Sequence, residues 1–236
     1  MPPESTVFIT GATHGIGRAT AFAFGRAGYA VGVCARTAAN VDALVAELEG
    51  VGISAAGAVA DVSEPGPVER AVDGVTAALG EIGVLVNNAG VLIARPFEEL
   101  SLEDWDATMG TNLRSLFLVT RAVLPGMRRR REGTVVNVAS LAGRNGLVGG
   151  TAYAASKHAV LGFGRSLMLE VRKEGIRVIT ICPGSVDTAM LQDQPMLKSD
   201  PQRILRPEDI ADAILAAVRL PARAMVSEID VRPTNP

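Results

Sequence analysis

The sequence predicts an α/β fold, a doubly wound parallel sheet of about seven strands that forms a Rossmann-type single domain. Short apolar runs alternate with longer helical segments from one end of the chain to the other. Such alternation, with strands apolar enough to be buried on both faces, is typical of a parallel sheet covered by helices. Right-handed crossovers between parallel strands then wind the chain to both sides of the sheet.

The individual elements follow from these runs in chain order. The predicted strands are residues 7–10, 30–35, 54–60, 84–88, 133–140, 177–182 and 227–232. The predicted helices lie near residues 16–27, 40–50, 66–79, 101–129, 152–174 and 207–219. No linker, repeat or low-complexity segment divides the chain, so we expect one domain over residues 1–236.

Composition narrows the classes of partner. Apolar residues make up 48% of the 236 residues, enough for a sizeable core, while the formal net charge is −2. Nothing in this balance indicates binding to nucleic acid or to an anionic membrane. The basic run Arg128–Arg131 ends an apolar helical segment, where positive side chains complement the helix C-terminus and stay solvated. We expect neither nucleic acid nor a membrane as a partner.

The cysteines and the N-terminal residues indicate a cytoplasmic protein. Cys34 and Cys182 lie in apolar, strand-like runs and are too few for a disulfide framework. The opening stretch "MPPESTVFITGA" is acidic and passes directly into a strand, unlike a signal peptide, and no apolar run reaches membrane-spanning length. His14 and His158 lie far apart without a ligand cluster, so we expect no metal.

A glycine-rich turn, "TGATHGIG", directly follows the first strand. Gly11 allows a sharp turn, Gly15 lets backbone N–H groups approach a phosphate, and Gly17 lets the next helix pack close to the sheet. The helix N-terminus then offers free donors and positive potential to a pyrophosphate. The turn therefore predicts a dinucleotide site.

Several motifs in order along the chain carry a resemblance to a known family. The glycine spacing is Gly-x-x-x-Gly-x-Gly, "NNAG" occupies Asn87–Gly90, "YAASK" occupies Tyr153–Lys157, and "PGSVDT" occupies residues 183–188. With these motifs the sequence resembles the short-chain dehydrogenases/reductases over nearly its whole length. The resemblance implies a nicotinamide-dependent oxidoreductase.

The end of the second strand, "VCAR", bears on the choice of cofactor. A ribose 2′-hydroxyl favours an acidic acceptor at this strand end, whereas a 2′-phosphate favours a guanidinium. Ala35 stands where NAD-dependent relatives carry the acid, Arg36 follows it, and Asp42 and Glu47 lie too far along the next helix to substitute. We therefore predict NADP rather than NAD, with His14 where many NADP-using relatives carry a basic residue.

The resemblance implies further contacts with the cofactor. It assigns Asp61 and Val62 to the adenine ring and the segment after the sixth strand to the nicotinamide. The predicted cofactor-binding residues are Gly11, Thr13, His14, Gly15, Ile16, Gly17, Arg36, Asp61, Val62, Asn88, Ala89, Gly90, Tyr153, Lys157, Pro183, Gly184, Val186 and Thr188. Asn87 has an alternative role, pinning neighbouring strands through backbone hydrogen bonds.

The pair in "YAASK" suits proton transfer. Hydride addition to a carbonyl builds negative charge on the oxygen, so an acid has to supply a proton. A tyrosine with its ordinary pKa of about 10 holds its proton too tightly, and a nearby cation lowers that pKa. Tyr153 and Lys157 are spaced to share one helix face. We expect Lys157 to lower the pKa of Tyr153, and Tyr153 to act as general acid and base.

Two further residues complete the predicted catalytic set. Ser140 closes the fifth predicted strand, and its hydroxyl is suited to bind and orient the substrate oxygen. The resemblance gives Asn112 a water-mediated link to Lys157, and gives Lys157 a contact with the nicotinamide ribose. The predicted catalytic residues are Asn112, Ser140, Tyr153 and Lys157.

The segment 187–206 interrupts the alternation, with neither a strand nor a long helix. It follows the sixth strand, at the carboxyl edge where open sheets bind ligands, and long irregular segments there often serve as lids. Met190, Leu191, Met196 and Leu197 give it an apolar side. We predict a substrate lid, with Met190 and Leu191 joining Ser140 and Tyr153 as substrate contacts.

We predict an NADP(H)-dependent oxidoreductase that transfers hydride between nicotinamide and a small or medium, largely apolar carbonyl or secondary alcohol. An alternative is a 3-oxoacyl-[acyl-carrier-protein] reductase, although many of these end in a glycine-rich segment and this chain ends "SEIDVRPTNP". Arg95, Arg144 and Arg203 are candidates to meet an acidic substrate group, although a position on the surface is the favoured alternative for each. An alternative of another class is a non-catalytic NADP sensor or scaffold, but sensors can lose Ser, Tyr or Lys, and all three are present.

The resemblance also implies a homo-oligomer, commonly a tetramer, in which dimers pair the long helices after strands four and five. The predicted segments 102–124 and 152–172 contain small residues that permit close helix packing. The alternative is that these residues serve packing within one chain. They are Ala155, Ala159, Gly162 and Gly164.

Overall fold

The computed structural model describes residues 5–194, 200 and 202–234. Its centre is one sheet of seven parallel strands in the order β3-β2-β1-β4-β5-β6-β7, which confirms the predicted doubly wound sheet. The strands are β1 Thr6–Thr10, β2 Ala30–Ala35, β3 Ala55–Val59, β4 Ile82–Asn87, β5 Gly133–Val138, β6 Ile176–Pro183 and β7 Glu228–Val231. The order changes direction between β1 and β4, so ligands are expected at the carboxyl ends of these two strands.

Helices cover both faces of the sheet. They are α1 Gly15–Arg26, α2 Ala38–Gly50, α3 Pro65–Leu79, α4 Leu102–Met109, α5 Ser115–Arg130, α6 Thr151–Val171, α7 Ala189–Gln192 and α8 Pro207–Val218. The long helix predicted near 101–129 is divided by a π-helical turn, Gly110–Arg114. The helix predicted to reach residue 174 ends in a 3₁₀ turn at Arg172–Glu174. The short α7 was not predicted, because four residues carry no readable periodicity.

Alternate residues of each strand are buried on opposite faces of the sheet. Val7 and Ile9 of β1 belong to a core that also contains residues of α1, α2 and α8. Phe8, between them, belongs to a second core with residues of α3, α5 and α6. Because both faces are buried, every position of β1 is apolar or a hydrogen-bonded threonine, as the sequence pattern indicated.

The fifth strand is shorter than predicted. It ends at Val138, and Ser140 instead lies at the N-cap of a 3₁₀ turn, Leu141–Gly143, where its hydroxyl accepts a hydrogen bond from Ala142 N at 3.1 Å. The backbone remains extended through Ser140, and Ala139 N still donates to Ile181 O. The serine therefore projects from the carboxyl edge of the sheet rather than from within the ladder.

The described residues contain neither a membrane-spanning helix nor a cluster of metal-binding side chains. No helix among them is long and apolar enough to cross a membrane. No group of three or more His, Cys, Asp or Glu side chains among them is arranged to hold a metal ion.

Candidate active site

Apart from Gly17 and Asn112, the predicted site residues line two adjoining cavities at the carboxyl edge of the sheet. One is lined by the turn between β1 and α1 and by the ends of β2, β3 and β4. The other, of about 530 Å³, is lined by Ser140, Tyr153 and Lys157 together with residues that follow β6 and β7. Both cavities are bordered by the same five residues, so the two form one cleft. The shared residues are Ile16, Asn88, Gly90, Thr188 and Met190.

The glycine turn lies directly against the segment after β4. Gly11 has φ +63°, and a Cβ placed on it would lie 2.8 Å from Ala89 Cα. A Cβ on Gly17 would lie 2.4 Å from Gly11 O and 2.6 Å from Asn88 Nδ2. Gly17 therefore lets α1 approach the turn closely. At the start of α1, His14 occupies the N-cap without a side-chain capping hydrogen bond, which leaves donors of the first turn for a ligand.

Asn88 and Thr10 hold this turn in place. Asn88 Nδ2 donates to Thr10 O and Gly11 O, each at 3.0 Å. Thr10 Oγ1 accepts from the backbone N of Asn88 and of Ala89, each at 3.1 Å. The "NNAG" segment thus fixes the loop that would cradle a phosphate.

Asn87 has a different role from Asn88. It is buried, and its Nδ2 donates to Thr120 Oγ1 and to Asn137 Oδ1, each at 3.0 Å. These bonds connect β4 to β5 and α5, so Asn87 pins neighbouring elements as the structural alternative held. The bonds come from its side chain, however, and not only from the backbone.

The end of β2 forms the far wall of the first cavity. Ala35 and Arg36 line it, with Asp61 and Val62 on the neighbouring strand end. Asp61 accepts hydrogen bonds from Ser63 N and Ser63 Oγ, and these bonds, with Arg36 nearby, hold the pKa of the carboxyl below its ordinary value. Arg36 is exposed, and no described carboxylate forms an ion pair with it.

Glu47 does not approach this wall as a substitute acid. Its carboxylate pairs with Arg18 on the outer side of α1. Neither Glu47 nor Asp42 is among the described residues that line this cavity, so neither is placed to contact a ribose hydroxyl in it.

Lys157 is buried in the second cavity with 5% of its surface exposed. Its Nζ donates to Val138 O at 2.9 Å and lies 5.6 Å from the centroid of the Tyr153 ring. Burial lowers the pKa of Lys157 to about 8. The ammonium and the phenol thus share one space, as the spacing in "YAASK" predicted.

The pKa of Tyr153 does not follow the prediction. Burial raises it above its ordinary value, and the hydrogen bond with the Ser140 side chain only opposes that rise. Desolvation removes the water that would stabilise a phenolate. The Lys157 ammonium lies over the ring and donates to the Val138 carbonyl, and it does not contribute to the shift in the pKa of Tyr153. The pKa of Tyr153 is therefore raised, whereas the sequence predicted that Lys157 would lower it.

Asn112 sits in the π-helical turn between α4 and α5 and is buried. Its Oδ1 accepts from Val91 N at 2.7 Å, while its Nδ2 donates to Val91 O at 2.9 Å and to Ser156 Oγ at 3.0 Å. A Cβ on Gly90 would lie 3.3 Å from Asn112 Oδ1 and 3.6 Å from Lys157 Nζ. The side chain therefore fastens the loop after β4 to α6, directly beside Lys157.

The mouth of the second cavity is largely apolar. Met190 and Leu191 of α7 line it, as predicted for the start of the lid, while Met196 and Leu197 lie outside the described residues. Further lining residues were not predicted, and these are Leu92, Leu141, Leu147, Arg232 and Pro233. Leu141 and Leu147 follow Ser140 closely in the chain and could have been predicted from it. Arg232 and Pro233 reach the cavity only because β7 pairs with β6.

The arginines proposed for an acidic substrate group do not line the described cavity. Arg95 pairs with Asp104 at 2.8 Å. Arg144 pairs with Glu228 and Asp230, at 2.7 Å and 2.5 Å. Neither of them, nor Arg203, is among the described residues that line the second cavity. Carboxylates of the same chain pair with Arg95 and Arg144, which agrees with the favoured alternative of a surface role for these two.

Arginines of the basic run at the C-terminal end of α5 form ion pairs with carboxylates of the same chain. Arg129 and Arg130 both pair with Glu81, and Arg128 pairs with Glu174. These contacts agree with the interpretation of the run as a solvated helix end.

Comparison with known proteins gives the family. A model described as short chain dehydrogenase matches residues 5–197. A Streptomyces virginiae protein, named as a ketoacyl reductase of the monensin polyketide synthase, is 45% identical over 186 residues, which are 78% of this chain and 71% of that protein. The 3-oxoacyl-[acyl-carrier-protein] reductase FabG of Thermotoga maritima is 36% identical over 214 residues, covering 88% of this chain and 87% of that protein.

Solved structures agree over almost the whole chain. A variant of actinorhodin polyketide ketoreductase with NADPH matches with a TM-score of 0.91 and 32% identity, covering 98% of this chain and 96% of that one. A metagenomic short-chain oxidoreductase in complex with NADP matches with a TM-score of 0.85 and 33% identity, covering 99% of each chain. With the matched family model and this shared fold, the chain belongs to the short-chain dehydrogenase family.

Proposed function

We propose that this protein is an NADP(H)-dependent oxidoreductase acting on a carbonyl or secondary alcohol. The observation that carries the proposal is the convergence of Ser140, Tyr153 and Lys157 on one cavity that adjoins the glycine-turn cavity. A hydroxyl, a phenol and an ammonium so arranged serve proton transfer to a carbonyl oxygen.

The first cavity fits a dinucleotide phosphate. A Cβ on Gly15 would lie 2.9 Å from Thr188 Cγ2, so only glycine leaves the space between the turn and Thr188 open. The first turn of α1 has no side-chain cap, so its N–H donors are available to a phosphate. The residues we propose to hold the cofactor are Gly11, Thr13, His14, Gly15, Ile16, Gly17, Arg36, Asp61, Val62, Asn88, Ala89, Gly90, Tyr153, Lys157, Pro183, Gly184, Val186 and Thr188. Solved relatives that contain NADPH or NADP support this choice, as does Arg36 beside Ala35. When bound, the nicotinamide supplies or accepts the hydride.

The residues of this chain supply the proton and the orientation. The Ser140 hydroxyl, which hydrogen-bonds Tyr153, is placed to bind the carbonyl oxygen as well. Because the pKa of Tyr153 is raised, its phenol is protonated at neutral pH and holds the proton that the new alkoxide takes up. The positive charge of Lys157, over the Tyr153 ring, stabilises the negative charge that develops on the phenol. Asn112 fixes the loop beside Lys157.

The substitution Tyr153→Phe tests this assignment. We expect it to lower kcat by about 100-fold to 10,000-fold, because a general acid contributes roughly two to four orders of magnitude. Binding of NADPH, measured by calorimetry, should remain. The matched control is Tyr29→Phe, since Tyr29 packs edge-on against Phe24, with ring centroids 4.9 Å apart, away from the cleft. Unchanged activity of the Tyr153 variant, followed by NADPH absorbance, contradicts the assignment.

A second candidate within the same class is a 3-oxoacyl-[acyl-carrier-protein] reductase. Relatives named as ketoacyl reductases favour it, because two of them are 45% and 36% identical to this chain. Rates on an acyl-carrier-protein thioester and on a simple ketone, measured side by side, separate the two. NADPH binding without turnover on any carbonyl would indicate the sensor or scaffold.

We further propose that the protein works as a homo-oligomer in the cytoplasm, with the tetramer as the expected assembly. Buried free thiols at Cys34 and Cys182 are the state that a reducing compartment maintains. Support for self-association comes from α6, where Gly162 is exposed and a Cβ on it meets nothing within 4 Å. Gly164 is different, because its Cβ would lie 2.5 Å from Thr180 Oγ1 of the same chain.

A further inference from the structure

Besides Lys157, one other cationic side chain lines the second cavity over the described residues, and it is Arg232. We propose that Arg232 binds an anionic group of the substrate, a carboxylate or a phosphate, while the carbonyl lies at Ser140 and Tyr153. The inference rests on the proposed function and narrows its substrate class to acidic carbonyl compounds.

The position of Arg232 is fixed by its backbone neighbours. It directly follows β7, and Gly184 N donates to Val231 O at 2.8 Å. A Cβ on Gly184 would lie 3.1 Å from Pro233 Cδ, so Pro233, which follows Arg232, packs closely against the segment after β6. The arginine is therefore held at the edge of the cavity by the pairing of β6 with β7, and not by a loose tail.

The carboxylates near Arg232 do not saturate it. Arg232 Nη2 lies 3.1 Å from Asp230 Oδ2, while Arg144 Nε takes Asp230 Oδ1 at 2.5 Å. Glu228 is likewise shared, by Arg144 and Arg165. In this cluster three guanidinium groups share two carboxylates, which leaves a formal excess of one positive charge.

Arg232 also has donors to spare. A guanidinium carries five N–H donors in a planar fork, and one contact to Asp230 is recorded for it. Its side chain is 56% exposed and Arg232 lines the cavity, so the remaining donors are accessible to a ligand there. Such a fork matches a carboxylate or a phosphate better than a neutral group.

Much of the lining of this cavity is apolar. It includes Leu141 and Leu147, which follow Ser140 in the chain, and Met190 and Leu191 of α7. An oxo acid, or an acyl thioester on a phosphate-bearing arm, combines the three chemistries that the cavity offers. These are a carbonyl, an apolar stretch and an anion.

The test compares acids with their neutral counterparts on the Arg232→Gln variant. The substrates are a series of 2-oxo to 5-oxo carboxylates and their methyl esters, with NADPH. We expect the wild type to prefer an acid over its ester, and the variant to lose about 10-fold to 100-fold in kcat/KM on the acid, with the ester within about twofold. Arg165→Gln is the matched control, because Arg165 pairs with the same Glu228 but does not line the cavity.

A second pair of substrates distinguishes the source of the anion. A 3-oxoacyl thioester of phosphopantetheine carries a phosphate, and the same thioester of N-acetylcysteamine does not. A loss confined to the oxo acids identifies a carboxylate, and a loss confined to the phosphopantetheine thioester identifies a phosphate. Equal losses on charged and neutral partners, or none on any, overturn the inference.

Failure of the proposed function gives a different result. In that case the wild type oxidises no NADPH with any compound. Binding of the same acid and ester to Tyr153→Phe, with and without Arg232→Gln, is then measured by calorimetry. Binding that prefers the acid and depends on Arg232 still supports the anion site, and binding indifferent to Arg232 rejects it.

Discussion

At the scale of single residues, Lys157 combines a structural cost with a functional position. Its ammonium is buried, has one described hydrogen bond, to Val138 O, and lies over the Tyr153 ring. Burial lowers its pKa from an ordinary 10.5 to about 8. A charge is retained at such cost where it serves chemistry, since an apolar side chain of similar length would pack there without the penalty.

The pH dependence of stability follows from that lowered pKa. The unfolded chain binds the lysine proton more tightly than the folded chain, so the penalty is complete below pH about 8 and disappears as the pH rises from 8 towards 10.5. At pH 7 the burial of the ammonium destabilises the folded protein by about 3 kcal/mol. Replacing Lys157 removes this penalty but also removes the hydrogen bond to Val138 O, which contributes about 1 kcal/mol to stability. We therefore expect Lys157→Met to be inactive yet about 2 kcal/mol more stable at neutral pH.

Thermal unfolding between neutral pH and about pH 9 measures this difference, which should shrink as the pH rises. Above about pH 10 the raised pKa of Tyr153 acts in the opposite direction, because only the unfolded phenol ionises readily there. Lys173→Met, at an exposed lysine, is the control and should show no such trend. A Lys157 variant less stable than the wild type at every pH contradicts the account.

Ala35 provides a second test at the residue scale. A carboxylate introduced there lies at the wall shared with Arg36 and repels a 2′-phosphate. We expect Ala35→Asp to lower kcat/KM with NADPH by at least about 10-fold and to raise it with NADH. Ala39→Asp adds the same charge on α2 outside the described cavity lining, and should leave the preference unchanged. If the ratio of kcat/KM with NADPH to kcat/KM with NADH is unaltered in the Ala35 variant, this wall does not determine the choice between the two cofactors.

At the scale of elements, the turn between β1 and α1 depends on a close approach that one methyl group blocks. A Cβ on Gly17 meets backbone and a hydrogen-bonded amide, neither of which can rotate away. We expect Gly17→Ala to lower the free energy of unfolding by about 1–3 kcal/mol and to weaken NADPH binding. Chemical denaturation and calorimetry measure the two effects.

The matched control is Gly74→Ala in the middle of α3, where a Cβ meets nothing within 4 Å. Alanine favours a helix over glycine, so this variant should be about 0.5–1 kcal/mol more stable than the wild type and bind NADPH normally. If both alanine variants behave alike, the close packing of α1 on the turn is not what positions the loop.

The π-helical turn shows what an element-scale interruption achieves. It separates α4 from α5 at Gly110–Arg114 and places the Asn112 amide against both backbone groups of Val91. π-helical turns are uncommon and often mark functional sites. The sequence indicated one long helix here, because a single extra residue in a turn hardly disturbs the apolar periodicity.

At the scale of the whole molecule, one face of α6 is small and open to solvent. Ala155, Ala159, Gly162 and Leu169 recur at helical spacing, with Gly162 exposed and Leu169 58% exposed. A stripe of this kind lets a second helix approach closely, and the proposed oligomer uses it. Packing within the chain accounts for Gly164 but not for Gly162.

The oligomer is tested by Gly162→Arg. We expect the bulky side chain to shift the protein to a smaller species in size-exclusion chromatography with light scattering, while circular dichroism stays unchanged. Gly74→Arg on exposed α3 is the control for placing arginine at an open helical glycine. The same mass for the wild type and the Gly162 variant rejects this face as the interface.

The amino-acid sequence by itself determined the sheet, the order of its elements and the residues of the cleft. Apolar runs fix which strands are buried on both faces, and the positions of glycines and of "YAASK" are local enough to be read directly. The glycine turn, Ser140, Tyr153 and Lys157 all line the predicted cleft.

The tertiary structure decided what depends on contacts between distant segments. It leaves Tyr153 half-buried, and desolvation rather than Lys157 sets the direction of its pKa shift. It commits Arg144 to Glu228 and Asp230, and brings Arg232 to the cavity through the pairing of β6 and β7. Electrostatic interactions and desolvation depend on which groups are close in space. Residues far apart in the sequence become neighbours only when the chain folds and the strands pair.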